Sequence, residues 1–208
     1  MSIMAYNGAA VVAMAGKKCV AIASDRRFGI KNQTVACDAK KTFRVNERTL
    51  CGLSGLMSDC QTLEQRFAFR HNMYRLREDR DMEPRTFANV VANMLYEKRF
   101  GPYFAEPVIA GLEGPDSDPF ICTMDILGAQ VKPEKEAMWQ LSGDCPEAMF
   151  GLCESMYKPD LEPDELFELI AQCLLSGVDR DCISGWGCTV HVLTPEGLTT
   201  RHLKGRMD

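Results

Sequence analysis

Two apolar runs with almost no polar positions, residues 9–14 and 19–23, most constrain what this chain can fold into. They flank a short turn at residues 15–18 that contains Gly16. Two β-prone runs around a glycine-containing turn predict a β-hairpin. Neither run alternates between apolar and polar residues, as a strand with one solvent-facing side would. We therefore expect both faces of this hairpin to be covered by other elements.

The second run ends abruptly in four polar residues, Ser-Asp-Arg-Arg at 24–27. A carboxylate at the end of a buried strand needs a partner, because burying an unpaired charge is costly. The residues of this segment alone also fit a second interpretation, in which the strand simply leaves the core at this point.

Size and charge exclude several classes of protein. A chain of 208 residues forms one large domain or two small ones. Its net charge of −5 gives no reason to expect nucleic acid or an anionic membrane as a partner. No run of 18 apolar residues is present, so no membrane-spanning helix is expected. The first ten residues lack the basic and apolar regions of a secretory signal.

The cysteines predict neither a disulfide framework nor a metal centre. There are ten, none in a C-x-x-C pair, and the three histidines give no zinc-site spacing. Most lie within apolar runs, where cysteine packs as a small hydrophobic residue. We expect free thiols in a reducing compartment, with no metal and no cofactor.

The remaining pattern predicts four helices between groups of strands. Strands are expected at residues 43–45, 49–53, 108–112, 119–124, 126–131, 137–142, 188–193 and 198–203, with an extended loop at 30–41. Helices are expected at about 58–76, 84–99, 144–157 and 163–178, the first and third with capping boxes at Ser58/Gln61 and Asp144/Glu147. Two stacked sheets with a helical layer on each outer face would bury every apolar face, so we predict a four-layer αββα sandwich of the α/β class.

Several motifs resemble those of proteasome β subunits. The segment G-x-x-C-V-A-I-A-S-D-R-R at 16–27 resembles the family's opening hairpin, and the later landmarks are Ser54-Gly55, Gly143 and Asp181-x-x-Ser184-Gly185. The segments at 6–8, 25–29, 96–103 and 106–112 resemble the non-catalytic members of the β ring. The resemblance covers almost the whole chain. It implies the fold of the N-terminal-nucleophile hydrolases, with residues 1–8 as a short extension and 9–208 as one domain.

The family's chemistry depends on an N-terminal threonine. In active members its hydroxyl is the nucleophile and its free α-amine is the base, since that amine titrates near neutral pH. Alignment to the family motifs puts Ala9 at the nucleophile position. Alanine has no hydroxyl, and Gly8 and seven further residues precede it. The resemblance therefore implies a non-catalytic subunit.

The supporting positions of the site are partly retained. By resemblance, Asp25 and Lys41 match the acidic and basic partners of the nucleophile, and Gly55 matches the glycine of the oxyanion hole. The family's site also contains a second acidic group, which Asp181 matches, and a hydroxyl group, which Ser184 matches. Asp144 stands where active members carry serine. We expect Asp25 and Lys41 to form a buried ion pair that fixes the hairpin against the next strand.

The resemblance also implies partners and a location. They are the other β subunits of a seven-membered ring, the α-ring subunits and the opposite β ring, in the cytoplasm and nucleus. The implied role is to complete the core that degrades ubiquitin-tagged and unfolded proteins. Cys122 and Asp125 match a segment that borders a neighbour's active site, where an acidic group would favour basic substrate side chains.

The alternative is a free-standing hydrolase with a serine or cysteine nucleophile. Removal of Met1 would expose Ser2 with a free amine. Ser2 lies seven residues before Ala9, however, and an extended segment of that length reaches roughly 23 Å, so it would have to fold back. A cysteine paired with His191 is the other version, although the sequence identifies no third group to orient that histidine.

Overall fold

Two stacked antiparallel sheets lie between two layers of helices. The structure, a computed structural model, describes residues 2–133, 137–144 and 146–207, and at 146 and 147 the backbone alone. The predicted αββα sandwich is confirmed. Within the described ranges, no helix has the length and apolar character needed to cross a bilayer.

The elements follow one another in the predicted order of strands and helix pairs. The strands are β1 Ala10–Gly16, β2 Cys19–Asp25, β3 Phe28–Ile30, β4 Gln33–Ala36, β5 Thr42–Asn46, β6 Thr49–Gly55, β7 Ala105–Glu113, β8 Asp118–Met124, β9 Gln130–Val131, β10 Trp139–Gly143, β11 Cys188–Thr194 and β12 Gly197–Leu203. The helices are α1 Met57–Glu78, α2 Pro84–Tyr96, α3 Pro146–Met156 and α4 Pro163–Val178. One sheet has the order β10-β1-β2-β11-β12, the other β5-β6-β7-β8-β9, and β3 pairs with β4.

The β1–β2 hairpin is buried on both faces, as its sequence predicts. Val11 and Ala13 of β1 point between the sheets, where they join Ile22 of β2 and Val108 of the second sheet. The alternate residues of β1 and β2 pack beneath α3 and α4 instead. A strand that contributes to two cores has no solvent-facing side, which explains why its sequence lacks a polar alternation.

The two sheets approach closely at Gly52 of β6. A Cβ atom at this position would lie 2.7 Å from Cγ1 of Val11 and 3.1 Å from Cδ1 of Ile22. Because β-branched side chains of the first sheet fill this space, only glycine fits opposite them.

A second apolar core lies between the other sheet and helices α1 and α2. Phe67 of α1 and Phe87 of α2 meet edge to face, with ring centroids 5.6 Å apart. Both rings are fully buried over Ile109 and Cys122 of the sheet. The edge-to-face arrangement is one that aromatic pairs favour.

The region at 30–41 differs from the predicted extended loop. It contains most of the short β3–β4 hairpin, which is held by the buried Arg27 side chain. The Arg27 guanidinium donates to Thr34 Oγ1 at 2.9 Å and to the Lys31 carbonyl at 3.1 Å. The Arg27 side chain, which precedes the hairpin, therefore holds it in place. Apolar periodicity within residues 30–41 does not predict such a contact.

The start of α1 also differs from the prediction. The helix begins at Met57, and no side-chain cap is made by its N-cap residue, Leu56. The predicted Ser58/Gln61 box is therefore wrong. The Met57 N–H donates instead to Oδ1 of Asn7 at 2.9 Å, so a residue fifty positions earlier caps this helix. The predicted Asp144/Glu147 box involves the side chain of Glu147, which lies outside the described part of the chain.

The predicted strand at 126–131 shrinks to Gln130–Val131. Oδ1 of Asp125 accepts the N–H groups of Leu127 and Ala129 at 2.9 and 2.8 Å. These bonds close a turn directly after β8, which is a common role of aspartate side chains. The turn uses the residues that would otherwise extend the strand.

Candidate functional site

Asp25 is the centre of the candidate site and is completely buried at the end of β2. Its Oδ1 accepts the Ala10 N–H at 2.9 Å and Lys41 Nζ at 2.6 Å. Its Oδ2 accepts the N–H groups of Arg27 and Gly185, each at 3.2 Å. The predicted Asp25–Lys41 ion pair is present, and three backbone donors complete the coordination of the carboxylate.

Lys41 connects this carboxylate to the peptide bond before Ala9. Its side chain is 1% exposed, and Nζ donates to the Gly8 carbonyl oxygen at 2.8 Å. The nitrogen of Ala9 is thus part of an amide and not a free amine. Ala9 therefore carries neither a hydroxyl nor a basic amine, the two groups that an N-terminal nucleophile uses.

Asp144 lies on the other side of Ala9. Its Oδ2 accepts the Ala9 N–H at 2.8 Å, and its own N–H donates to the Ala9 carbonyl at the same distance. Burial raises the pKa of the Asp144 carboxyl to about 6. The hydrogen bond from Ala9 opposes this rise, whereas the nearby charge of Asp181 adds to it. The Asp144 carboxyl thus lies where burial disfavours its ionisation.

Asp181 and Ser184 form a local pair in the loop after α4. Ser184 Oγ donates to Oδ2 of Asp181 at 2.5 Å, and the Ile183 N–H donates to Oδ1 at 3.3 Å. The same loop reaches the centre of the site through Gly185, whose N–H binds Asp25. The structure therefore brings six of the predicted positions into one hydrogen-bonded region: Ala9, Asp25, Lys41, Asp144 and, through the loop of Gly185, Asp181 and Ser184.

Gly55 lies at the end of β6 with a φ of +111°, a conformation that favours glycine. A Cβ atom here would lie 2.4 Å from the Phe104 carbonyl oxygen and 3.0 Å from Cε of Met4. The N-terminal segment therefore folds back over this position. Ser2 itself remains exposed.

A cavity of about 350 Å³ opens beside Lys41. Its walls combine apolar side chains, among them Phe28, Phe43 and Met57, with the buried Cys60. Burial raises the pKa of the Cys60 thiol to about 12, so at neutral pH this group is a thiol and not a nucleophilic thiolate.

Cys122 and Asp125 face different environments. Cys122 is fully buried in the core beneath α1 and α2, and burial raises its pKa to about 11. Asp125 is exposed in the turn after β8. Of these two residues, the carboxylate alone is accessible at the surface of this chain.

His191 has other partners than a cysteine. Nδ1 lies 2.8 Å from Thr200 Oγ1, and Nε2 lies 3.0 Å from Thr42 Oγ1. Burial and the neighbouring His202 lower its pKa. The nine cysteines that the structure describes are all free, and the described residues contain no group of three potential metal ligands.

Two residues of the site could not be recognised from the sequence as parts of it. Arg27 binds the Ile183 carbonyl at 2.7 Å and so ties the loop after α4 to the β3–β4 hairpin. Asn7 binds both Gly29 and Met57 through its side chain. The motif resemblance includes both segments, but nothing in a residue type indicates a partner that is fifty or more positions away.

Comparison with known proteins places the chain in a family. The family model described as a proteasome subunit matches residues 5–193. The chain belongs to the proteasome subunit family. Over all 208 residues it is 58% identical to proteasome subunit beta type-3 of Picea mariana, 55% identical to that of Dictyostelium discoideum and 50% identical to that of Drosophila melanogaster. In each case the match covers the whole length of the relative. Because these relatives are proteasome subunits, the alternative of a free-standing hydrolase is not favoured.

Replacing Asp144 by asparagine is expected to change how stability depends on pH. A carboxyl whose pKa is raised to about 6 in the fold favours folding fully below its unfolded pKa near 4, and this contribution is lost as pH rises through 6. An asparagine side chain at this position can still accept the Ala9 N–H without a charge. Because the site is half-buried and partly screened, we expect Asp144→Asn to be about 1 kcal/mol more stable at pH 7.5, with the gain shrinking towards pH 4.5.

Urea unfolding of both chains across this pH range measures the difference. Asp116→Asn, in an exposed turn, serves as the matched control for removing one negative charge. A variant less stable than the parent at pH 7.5, or a difference that does not change with pH, would contradict the assignment.

Proposed function

We propose that this chain is a non-catalytic structural subunit of the proteasome β ring. One observation carries the proposal: the nitrogen of Ala9, the residue that the motif resemblance assigns to the nucleophile position, is bonded to Gly8 and donates as an amide N–H to Asp144. Catalysis of the family's type needs a hydroxyl and a free amine on this residue. No shift in the pKa of a neighbouring group can supply atoms that the residue lacks.

The remaining polar groups serve the fold. Lys41 donates to Asp25 and to the Gly8 carbonyl, and both oxygens of Asp25 are occupied by donors. A buried pair of this kind strongly destabilises a protein when one partner is removed. Retention of these residues without the nucleophile is therefore consistent with a structural role.

The partners we propose are the other β subunits of a seven-membered ring, the α-ring subunits and the opposite β ring, in the cytoplasm and nucleus. The particle would degrade ubiquitin-tagged and unfolded proteins. Full-length similarity to beta type-3 subunits supports this assembly. Large apolar side chains that the chain leaves uncovered on α1, at the end of α2 and in the turn after it also support it, since Phe69, Tyr96 and Phe100 are 62%, 65% and 98% exposed.

The native size of the protein tests the proposal. In extract from its own cells the chain should sediment only in a particle of many subunits, because its helices expose apolar surface that neighbours would cover. Intact-mass analysis should find the Gly8–Ala9 bond uncleaved. A species near the monomer mass of 23.3 kDa, or a chain that begins at a new nucleophilic residue, would overturn the proposal.

We also propose that Asp125 contributes to a substrate pocket of an adjacent subunit. Its exposure and its rigid position support this, because its Oδ1 is fixed by the N–H groups of Leu127 and Ala129. A fixed, exposed carboxylate would attract basic substrate side chains. In this proposal the buried Cys122 acts on the pocket only through the strand that it anchors.

The Asp125→Asn variant in assembled particles tests this role. Asparagine keeps an oxygen for the turn but removes the charge, and exposed charge pairs contribute about 0.2–1 kcal/mol. We therefore expect kcat/KM for peptides with a basic residue at the cleaved bond to fall by up to about fivefold, less at high salt. Asp116→Asn is the matched control, and unchanged kinetics at low salt would contradict the proposal.

A further inference from the structure

The space between the two sheets changes character at one corner of the sandwich. Over much of its area apolar side chains fill this space, among them Ile22 of β2 and Leu193 of β11. Near β12 and β5, the edge strands of the two sheets, it opens into a cleft of about 610 Å³, a volume typical of small-molecule sites. Apart from Ala39 and Phe43, the residues that line the cleft are polar: Ser24, Arg26, Asp38, Lys40, Thr42, Arg44, Glu64, Thr189, His191, Thr200 and His202.

The strand register brings these polar side chains together from both sheets. Ser24 of β2 pairs with Thr189 of β11, which in turn pairs with His202 of β12. Thr189 Oγ1 lies 3.0 Å from Nδ1 of His202. His191 connects this wall to the other sheet, because its Nε2 lies 3.0 Å from Oγ1 of Thr42 in β5. The cleft is therefore a built feature of the sandwich, with one polar wall from each sheet.

The hydroxyl of Ser24 is the buried group that points to a ligand. Ser24 is only 1% exposed, yet its Oγ makes no hydrogen bond with any residue that the structure describes. The other hydroxyls of the cleft, those of Thr42, Thr189 and Thr200, are each paired with a histidine. Leaving a buried hydroxyl without a partner is costly. A partner for Ser24 has to come from the cleft itself.

Three cationic side chains line the cleft without a partner of opposite charge. Among the ion pairs within the described ranges, none involves Arg26, Lys40 or Arg44. Arg44 Nε donates to the Asn46 carbonyl at 3.0 Å, and its two Nη groups remain for another acceptor. Arg26 follows β2 of one sheet, whereas Arg44 belongs to β5 of the other. Cations from both walls can therefore contact one ligand.

Two carboxylates, those of Asp38 and Glu64, also line the cleft. Both residues line the cavity beside Lys41 as well, as Lys40 does, so they lie on the border between the two spaces. The strands that line the cleft contribute hydroxyl, imidazole and guanidinium groups and no carboxylate. The walls that the two sheets build are therefore basic.

We propose that this cleft binds a small molecule that carries a phosphate group. The guanidinium groups of Arg26 and Arg44 each present N–H donors in a planar fork that suits phosphate oxygens, and the Ser24 hydroxyl adds a neutral donor. A phosphate monoester carries close to two negative charges at neutral pH, which matches several cations better than the single charge of a carboxylate. The inference goes beyond the structural role proposed above, because a subunit without a nucleophile can still bind a ligand elsewhere.

Titration of the full chain with glucose 6-phosphate tests the proposal. Binding should be saturable with a Kd of about 1 mM or tighter, and the amide NMR signals of Ser24 and Thr189 should shift. Glucose should not bind, and glucuronate, which carries a carboxylate, should bind more weakly. Arg26→Gln should weaken binding at least about tenfold, and Ser24→Ala about fivefold, because a charged and a neutral donor are lost. Arg77→Gln, in the exposed last turn of α1, is the matched control and should bind like the parent.

Absence of saturable binding would overturn the proposal, as would glucose or glucuronate binding as tightly as the phosphate. Equal binding by Arg26→Gln, or the same loss in Arg77→Gln, would show attraction by overall charge alone and would also overturn it. Should Arg26→Gln not fold, Arg44→Gln in the edge strand β5 decides, with the same expected loss. Where the chain is soluble only within a particle, the titrations compare particles that differ in this subunit alone. The result does not depend on particle size, so it is separate from the test of ring assembly.

Discussion

The buried carboxylate of Asp25 is the interaction on which the rest of this site depends. It accepts hydrogen bonds from the start of β1, from its own turn, from the loop after α4 and from Lys41. Because an unpaired charge in a protein interior is costly, these four donors must stay in place for the end of β2 to remain buried. A single side chain thus fixes the end of β2 against the start of β1, Lys41 and the loop after α4.

This dependence explains why the polar groups around Ala9 are held in fixed positions. The hairpin of β1 and β2 contributes to two cores, so its ends cannot move freely towards solvent. Polar groups at those ends must be paired inside the protein, and Asp25, Lys41 and Asp144 provide the partners. Ala9 has no hydroxyl, and none of these pairings requires one.

Much of the fold could be predicted from periodicity. The β1–β2 hairpin, the helix pairs and the two-sheet arrangement follow from apolar patterns. The spacing of apolar residues shows whether a helix or strand is buried on one face or on both. The motif resemblance added Lys41 as the partner of Asp25, which spacing alone could not supply. Comparison with known proteins then established the family, and the roles assigned by resemblance to Cys122 and Asp125 remain predictions.

What sequence reasoning missed depends on long-range hydrogen bonds to the backbone. Asn7 caps α1 in place of the predicted Ser58, and Arg27 organises the β3–β4 hairpin in a region predicted to be a loop. Such contacts leave no periodic signal, since any segment can offer a backbone N–H or carbonyl group. Asp125 is a local exception: its turn could have been foreseen from the tendency of aspartate to bind N–H groups a few residues later.

A double-mutant cycle on Asp25 and Lys41 tests the structural role of this pair most directly. The free energy of unfolding would be measured for Asp25→Asn, Lys41→Met and the double variant, with the exposed Lys17–Glu162 pair as the control. Because either single change leaves a buried group unpaired, each should cost about 3–5 kcal/mol, and the double variant should cost clearly less than their sum. Small single effects that simply add, as expected for the exposed pair, would contradict the view that this ion pair holds the site together.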